Sequence, residues 1–155
     1  MEKISEAIYK ALRDDSESAV GLRALLGNTT TSPYNVYHAF LPTSIDFSPT
    51  AGNKGFITYL FVSVVPELGT REDMRVMEEV YNITAYHRLL TQLESIHRRI
   101  KWRLQDARGV SNPTSQAQLL NIRMESLGSM RFDDVFNVYF QTAFYRVWVR
   151  DDDLH

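Results

Sequence analysis

Apolar residues between Ile4 and Leu12 recur at helical spacing. Ile4, Ala7, Ile8, Ala11 and Leu12 share one face, and Glu2, Lys3, Glu6, Lys10 and Arg13 share the other. That pattern predicts an amphipathic helix. Asp14, Asp15 and Ser16 interrupt it, and Ser16 or Ser18 can cap a second short helix. That helix would carry Ala19, Val20, Leu22, Leu25 and Leu26, with Gly27 ending it. Beyond a polar loop from Asn28 to Pro33, Tyr34 to Leu41 alternates loosely and reads as a strand closed by Pro42.

Thr43 to Gly55 is a long loop with Pro49, Gly52 and Gly55, carrying Ile45, Phe47 and Ala51. Loops of that length are uncommon in a compact domain and are often ordered by a partner. Phe56 to Val65 is apolar on both faces, so a central strand is expected. Thr70 to Arg75 is a charged turn, read as a hairpin loop to the next strand, although Thr70-Arg-Glu-Asp73 could also be a capping box for a short helix.

From Val76 to Gly109 one strand feeds one long helix. Val80, Tyr81, Ile83, Thr84 and Tyr86 suit the strand. After His87 the period changes, and Leu89, Leu93, Ile96, Ile100, Leu104 and Ala107 draw an apolar stripe that Gly109 stops. Gln118 to Leu127 alternates as a strand, and a loop with Gly128 follows. Val135 to Val149 is long, aromatic and β-rich, so a bulge or break is expected near Gln141 to Ala143. The order predicts an α+β fold: a mostly antiparallel sheet of about five strands, with an N-terminal helical segment and one long helix packed on one face.

At 155 residues, one domain over 1–155 is expected. Charged residues make up 23% and apolar ones 44%, a globular balance. The net charge of −2 does not mark the whole molecule as a polyanion binder. The absence of cysteine excludes disulfides, thiolate zinc sites and cysteine nucleophiles. The opening residues lack the apolar core of a signal peptide, and no apolar run approaches the ~20 residues of a spanning helix. A soluble, intracellular protein without membrane contact is the expectation.

No catalytic pattern emerges. His38, His87, His97 and His155 stand at no metal-binding spacing, although His38 and His87 could meet across strands. Glu78–Glu79 and Asp133–Asp134 are adjacent pairs, whose members point to opposite faces of a strand and form no acid dyad. The expectation is no enzyme, no metal and no cofactor. The long helix is basic: Arg88, Arg98, Arg99, Lys101, Arg103 and Arg108 against Glu94 and Asp106, a net +4. Such a helix beside Trp102 could touch nucleic acid. A solvated face, or pairing with Asp14, Asp15, Glu17 or Asp151 to Asp153 of a neighbouring subunit, accords better with the overall charge. The Arg98–Arg99–Lys101–Arg103 side is expected to be surplus to folding.

Several pieces follow one another in a set order. They are an opening helical segment ending in Ala24-Leu-Leu-Gly27, the stretch Val36 to Pro42 with its His-Ala-Phe-Leu-Pro, and the long loop with its strand to Val65. A strand running into a helix over Val80 to Leu104 and a closing aromatic strand pair over Met124 to Val149 complete the series. This order resembles the small tail-completion proteins of long-tailed bacteriophages, the tail terminators and related neck or head–tail joining proteins. The resemblance spans nearly the whole chain and lies in pattern, with no catalytic motif. The long terminal strand region and the Arg-rich helix depart from it and keep a neck protein open beside a terminator.

The resemblance implies a structural virion protein at the tail–head junction, assembled in the host cytoplasm. Such proteins form a ring, commonly of six subunits, that caps the tail tube protein on one side. The other side meets a head-completion or neck protein, and DNA passes through the channel without specific binding. In that picture Ile45, Phe47 and Lys54 of the long loop and Arg98, Arg99, Lys101 and Arg103 of the helix are the subunit or partner interface. Ile45 and Phe47 could equally tuck back onto their own domain. Rival readings are another neck or connector ring protein, a non-specific DNA-binding accessory protein using helix 88–108, and a small-molecule enzyme with a His38–His87 pocket.

Overall fold

Helix α1 (Glu2–Arg13) forms where the first apolar stripe predicts it, and Ile4, Ala7, Ile8, Ala11 and Leu12 are all buried. The computed structural model describes residues 2–45, 47, 54–66, 76–106, 110 and 117–151. Helix α2 is only Leu22–Leu25, shorter than its apolar pattern, because Ala19 takes a left-handed backbone (φ 66°) that a right-handed helix excludes. Neither expected serine caps it. Asp15 does so from further upstream, its Oδ2 accepting the Leu22 N–H at 2.9 Å. The turn between them closes so tightly that a Cβ at Gly21 would lie 2.7 Å from the backbone of Asp15 and Glu17. Gly27, at φ 98°, ends the helix as expected.

Strand β1 is Val36–His38, trimmed at both ends by the positive φ angles of Asn35 and Ala39, and it pairs parallel with Ile57–Tyr59. Strand β2 (Phe56–Pro66) pairs antiparallel with β3 (Val76–His87), from Phe56↔Tyr86 to Pro66↔Met77. The residues joining them, with the expected turn from Thr70 to Arg75, lie outside the described residues. After β3 come helix α3 (Leu90–Lys101) and a π-helical turn (Trp102–Asp106). The expected stop at Gly109 also lies outside the described residues. Strands β4 (Ala117–Leu127), β5 (Arg131–Asp133) and β6 (Val138–Asp151) complete the sheet. Its order is β1-β2-β3-β6-β4, with β5 also on β6, a mixed sheet of six strands that is antiparallel except at β1.

Two expectations are corrected. Strand β2 is not central: β3 and β6 hold the middle, and β2 is flanked by β1 over only three residue pairs. The last strand has no bulge at Gln141 to Ala143. It pairs with β3 without a register shift from His87↔Tyr139 to Val76↔Arg150. The irregularity sits in its neighbour instead. β4 covers β6 only down to Ala143 and β5 resumes at Phe140, while the gap is bridged by the Gly128 N–H on Thr142 O and the Gln141 amide on Gly128 O. The chain breaks before β6, at a turn where Asn137 has φ 56°.

The main core lies between the helices and one sheet face. Tyr81, Ile83 and Ala85 from β3 and Ala143, Tyr145, Val147 and Val149 from β6 meet Leu93, Ile96, Ile100 and Leu104. Each such aliphatic side chain stabilises the fold by about 1.5–3 kcal/mol. Leu89, assigned to the same stripe, is 45% exposed and forms the N-terminal cap of α3. Its N–H is held by His87 Nδ1 at 3.0 Å. A second, small core of Phe47, Phe56 and Val138 is supported by Tyr37, Leu41, Ile45, Tyr86 and Phe136. Phe56 neighbours Ile57 of the main core, so this cluster occupies the opposite sheet face.

Candidate functional site

The basic side of α3 divides into two kinds of residue. Arg99 donates from Nε and Nη2 to the two carboxylate oxygens of Asp15, each at 2.7 Å, and from Nη2 to Glu17 at 2.7 Å. Its guanidinium also lies 4.0 Å from the Trp102 ring centroid, in cation–π contact. Arg103 donates from Nε to the carbonyl of Ala11 at 3.0 Å. These two cations pin the α1–α2 segment to α3, which corrects the expectation that the whole basic side is surplus to folding. The physical cause is reach: residues 99 and 103 are one turn apart and both face α1, whose last carbonyls and following acids need donors.

Arg98 and Lys101 lie on the other side of the helix. Arg98 is largely exposed, and its one ion pair among the described residues is with Glu94, one turn back, at 3.1 Å. Lys101 has no ion-pair partner among the described residues. The acids considered for intersubunit pairing are also sorted. Asp14 bonds Arg13, Asp15 and Glu17 bond Arg99, and residues 152–155 lie outside the described set. Burial alone would push the Asp15 carboxyl up. The Arg99 and Leu22 hydrogen bonds outweigh it and hold the group below the ordinary carboxylate range. Arg99 is pushed up in turn, chiefly by its hydrogen bonds to Asp15.

The long loop places its residues apart from this helix. Phe47 is buried edge-on against Phe56 (4.8 Å between centroids) and Phe136 (5.7 Å), and Ile45 packs beside it half-buried. In the single chain both tuck back onto the domain. Lys54 is exposed at the foot of β2. Ile45 and Phe47 therefore share a cluster, Arg99 and Arg103 share the α1 contact, and Arg98 and Lys101 share the outer helix side; the seven residues do not converge on one surface.

Among the described residues, the sheet face opposite the helices is covered only at that end. Across its middle, Leu60, Asn82, Phe144 and Ser126 stand on one cross-strand row. Leu60 and Phe144 are exposed there. One row over from it, Arg146 is clamped between Glu78 and Glu125. Glu78 faces this surface while Glu79 is buried on the helix side, so the adjacent carboxylates do point apart. His38 and His87 do not meet. His38 lies level with Tyr59 and Ile83, four residues short of His87 and two strands away, or about 16 Å. Among the described residues no group of three or more His, Asp or Glu could hold a metal ion.

Two clefts flank α3. One, of about 450 Å³, is lined by Val20, Leu25, Ser95, Arg98 and Trp102. The other, of about 360 Å³, lies between α3 and the β4–β5 corner and is lined by Glu94, Arg98, Lys101, Met124, Leu127 and Met130, with His97 at its base. His97 Nε2 donates to Gln141 O at 2.7 Å, and burial holds the imidazole below its ordinary pKa, hence neutral.

No family model and no curated protein matches this chain. A chain of the virion of a native gene transfer agent (GTA) particle does match it among solved structures. The two chains share a fold. The superposition has a TM-score of 0.58 at 14% identity and covers 95% of this chain and 94% of the other. At that identity the likeness is one of fold, carried end to end.

Three features do not follow from the residue pattern alone. Asp15 sits in a polar linker and gives no sign of being buried. The Arg146 clamp needs the register of three strands. Val135, expected to open a strand, is 89% exposed in the β5–β6 turn. A signal existed for the last: Asp133-Asp134 followed shortly by Asn137 is turn chemistry.

Proposed function

We propose that this chain is a non-catalytic structural protein of a phage-like virion. Within the particle its place is the ring, of about six copies by the family pattern, that ends the tail tube and joins it to the head or neck. The end-to-end superposition on a virion chain carries this reading. A sheet with two unlike edges and, among the described residues, exposed Leu60 and Phe144 on one face supports it, since a ring subunit must offer different surfaces to its two neighbours and further ones to the layers above and below. The mechanism is assembly by shape and charge, with DNA passing through unread. The rival use of helix 88–108 as a DNA-binding surface is weakened, because Arg99 and Arg103 are committed to internal contacts.

The test is electron microscopy of particles made without this chain. Filled heads and tails that stay unjoined are the expected result, restored by supplying the protein. Normal, complete particles in its absence would overturn the reading, and label on the purified particle locates the protein along the tail axis.

A further inference from the structure

We propose that neighbouring copies meet head to tail by seating the Asp134–Val135 turn of one subunit in the cleft between α3 and the β4–β5 corner of the next. This rests on the ring reading above. The turn is a preformed knob. Asp133 Oδ1 accepts the N–H groups of Val135 (2.8 Å) and Phe136 (3.1 Å), Asn137 holds the left-handed φ that closes it, and β5 and β6 pair immediately behind. At its tip Val135 is 89% exposed, the highest value of any large apolar residue among those described. Asp134 beside it is exposed and has no ion-pair partner among the described residues.

The cleft is complementary in shape and sign. Its floor is Met124, Leu127 and Met130, with Leu127 44% and Met130 39% exposed, and its volume is about 360 Å³. Methionines let such a floor adjust to a branched side chain. On its helix side stand Arg98 and Glu94, which pair with each other across one turn, and Lys101, which has no ion-pair partner among the described residues and leaves the rim one positive charge in excess. An acid beside an apolar tip therefore meets a base beside an apolar floor. The turn does not reach the cleft of its own subunit. Leu127 is level with Ala143, five residues or about 17 Å along β6 from Val138, and the turn lies beyond that. Knob and socket are thus separate surfaces on one molecule, which is what a contact propagated around a ring needs.

The chain has no cysteine, so an engineered pair reports alone. Val135→Cys and Leu127→Cys in one chain, oxidised at assembly concentration, should give a reducible ladder of covalent oligomers ending at the ring size. Each single variant should give no ladder. In the cysteine pair background, Asp134→Lys should weaken assembly about tenfold and Lys101→Asp should restore it. Rings seen by mass photometry without a 127–135 link would overturn this contact and leave the ring reading standing. Monomers at every concentration, with no link, would overturn both. Linked species that stop at dimers would overturn head-to-tail geometry, and failure of the charge swap to rescue would overturn the Asp134–Lys101 pairing.

Discussion

Removing the Asp15 carboxylate should be among the most damaging single changes outside the apolar core. In Asp15→Ala, Arg99 loses two charge-assisted hydrogen bonds of 2.7 Å and Leu22 loses the acceptor for its N–H. The pair is buried, with side chains 13% (Arg99) and 3% (Asp15) exposed, so little water can replace what is lost. Breaking such a pair costs about 3–5 kcal/mol. Arg99 keeps Glu17 and the Trp102 ring, which places this case near the lower end, at about 3 kcal/mol. With a urea m-value of about 2 kcal/mol/M, the unfolding midpoint should fall by about 1.5 M. Asp15→Asn keeps an acceptor for Leu22 and should lose less. The control is Arg98→Ala on the same helix, whose exposed one-turn pair is worth under about 0.5 kcal/mol. Urea denaturation followed by circular dichroism reads all three. A midpoint shift below about 0.3 M for Asp15→Ala, or an equal shift for Arg98→Ala, would refute the division of the basic side into internal and free cations.

Three further outcomes are expected. Phe47→Ala empties the small core and should cost about 3 kcal/mol by chemical denaturation, whereas a surface loop anchor would cost under about 1. Acid should destabilise the fold in steps. His87 and His97 are both held below their ordinary pKa, mainly by burial, so their stabilisation is intact above about pH 6.5 and is lost as pH falls through the folded values. Asp15, also lowered, adds a loss beginning below about pH 3.8; melting temperatures from pH 8 to 3 would show both, and a flat profile between pH 7 and 5 would contradict the histidine part. Gly21→Ala forces a Cβ to 2.7 Å from two backbone segments and should lower the melting temperature by several degrees, an effect absent from an alanine change at exposed Ser18.

The helices and most strands were legible because their periodicity is enforced by one buried side. The α1 stripe and the Leu93–Ile96–Ile100–Leu104 stripe read correctly for that reason. Strand β6 was harder, since aromatic residues occupy both of its faces and pattern alone does not choose between Phe140–Phe144 and Tyr139–Tyr145. The break expected in it is absent, because the handover between β4 and β5 leaves β6 itself continuous. Among the candidate residues, composition identified the cations of α3. It could not sort them, because Arg99 and Arg103 are distinguished from Arg98 and Lys101 only by what α1 brings opposite them.

The ladder between β3 and β6 also fixes an order of events during folding. Its rungs join residues from 52 apart (His87↔Tyr139) to 74 apart (Val76↔Arg150), whereas the nearest β2–β3 rung spans 11 (Pro66↔Met77). Closing the longer loop costs about 1.4 kcal/mol more in chain entropy, roughly a tenfold disadvantage. The β2–β3–α3 unit should therefore form first, leaving β3 for a time as an open edge beside half-covered aromatic residues. Such an intermediate is sticky, and its natural protection is speed of capture by β6. Val147→Ala should accordingly accelerate unfolding and leave refolding almost unchanged, and a matching slowdown of refolding would place β6 in the nucleus instead.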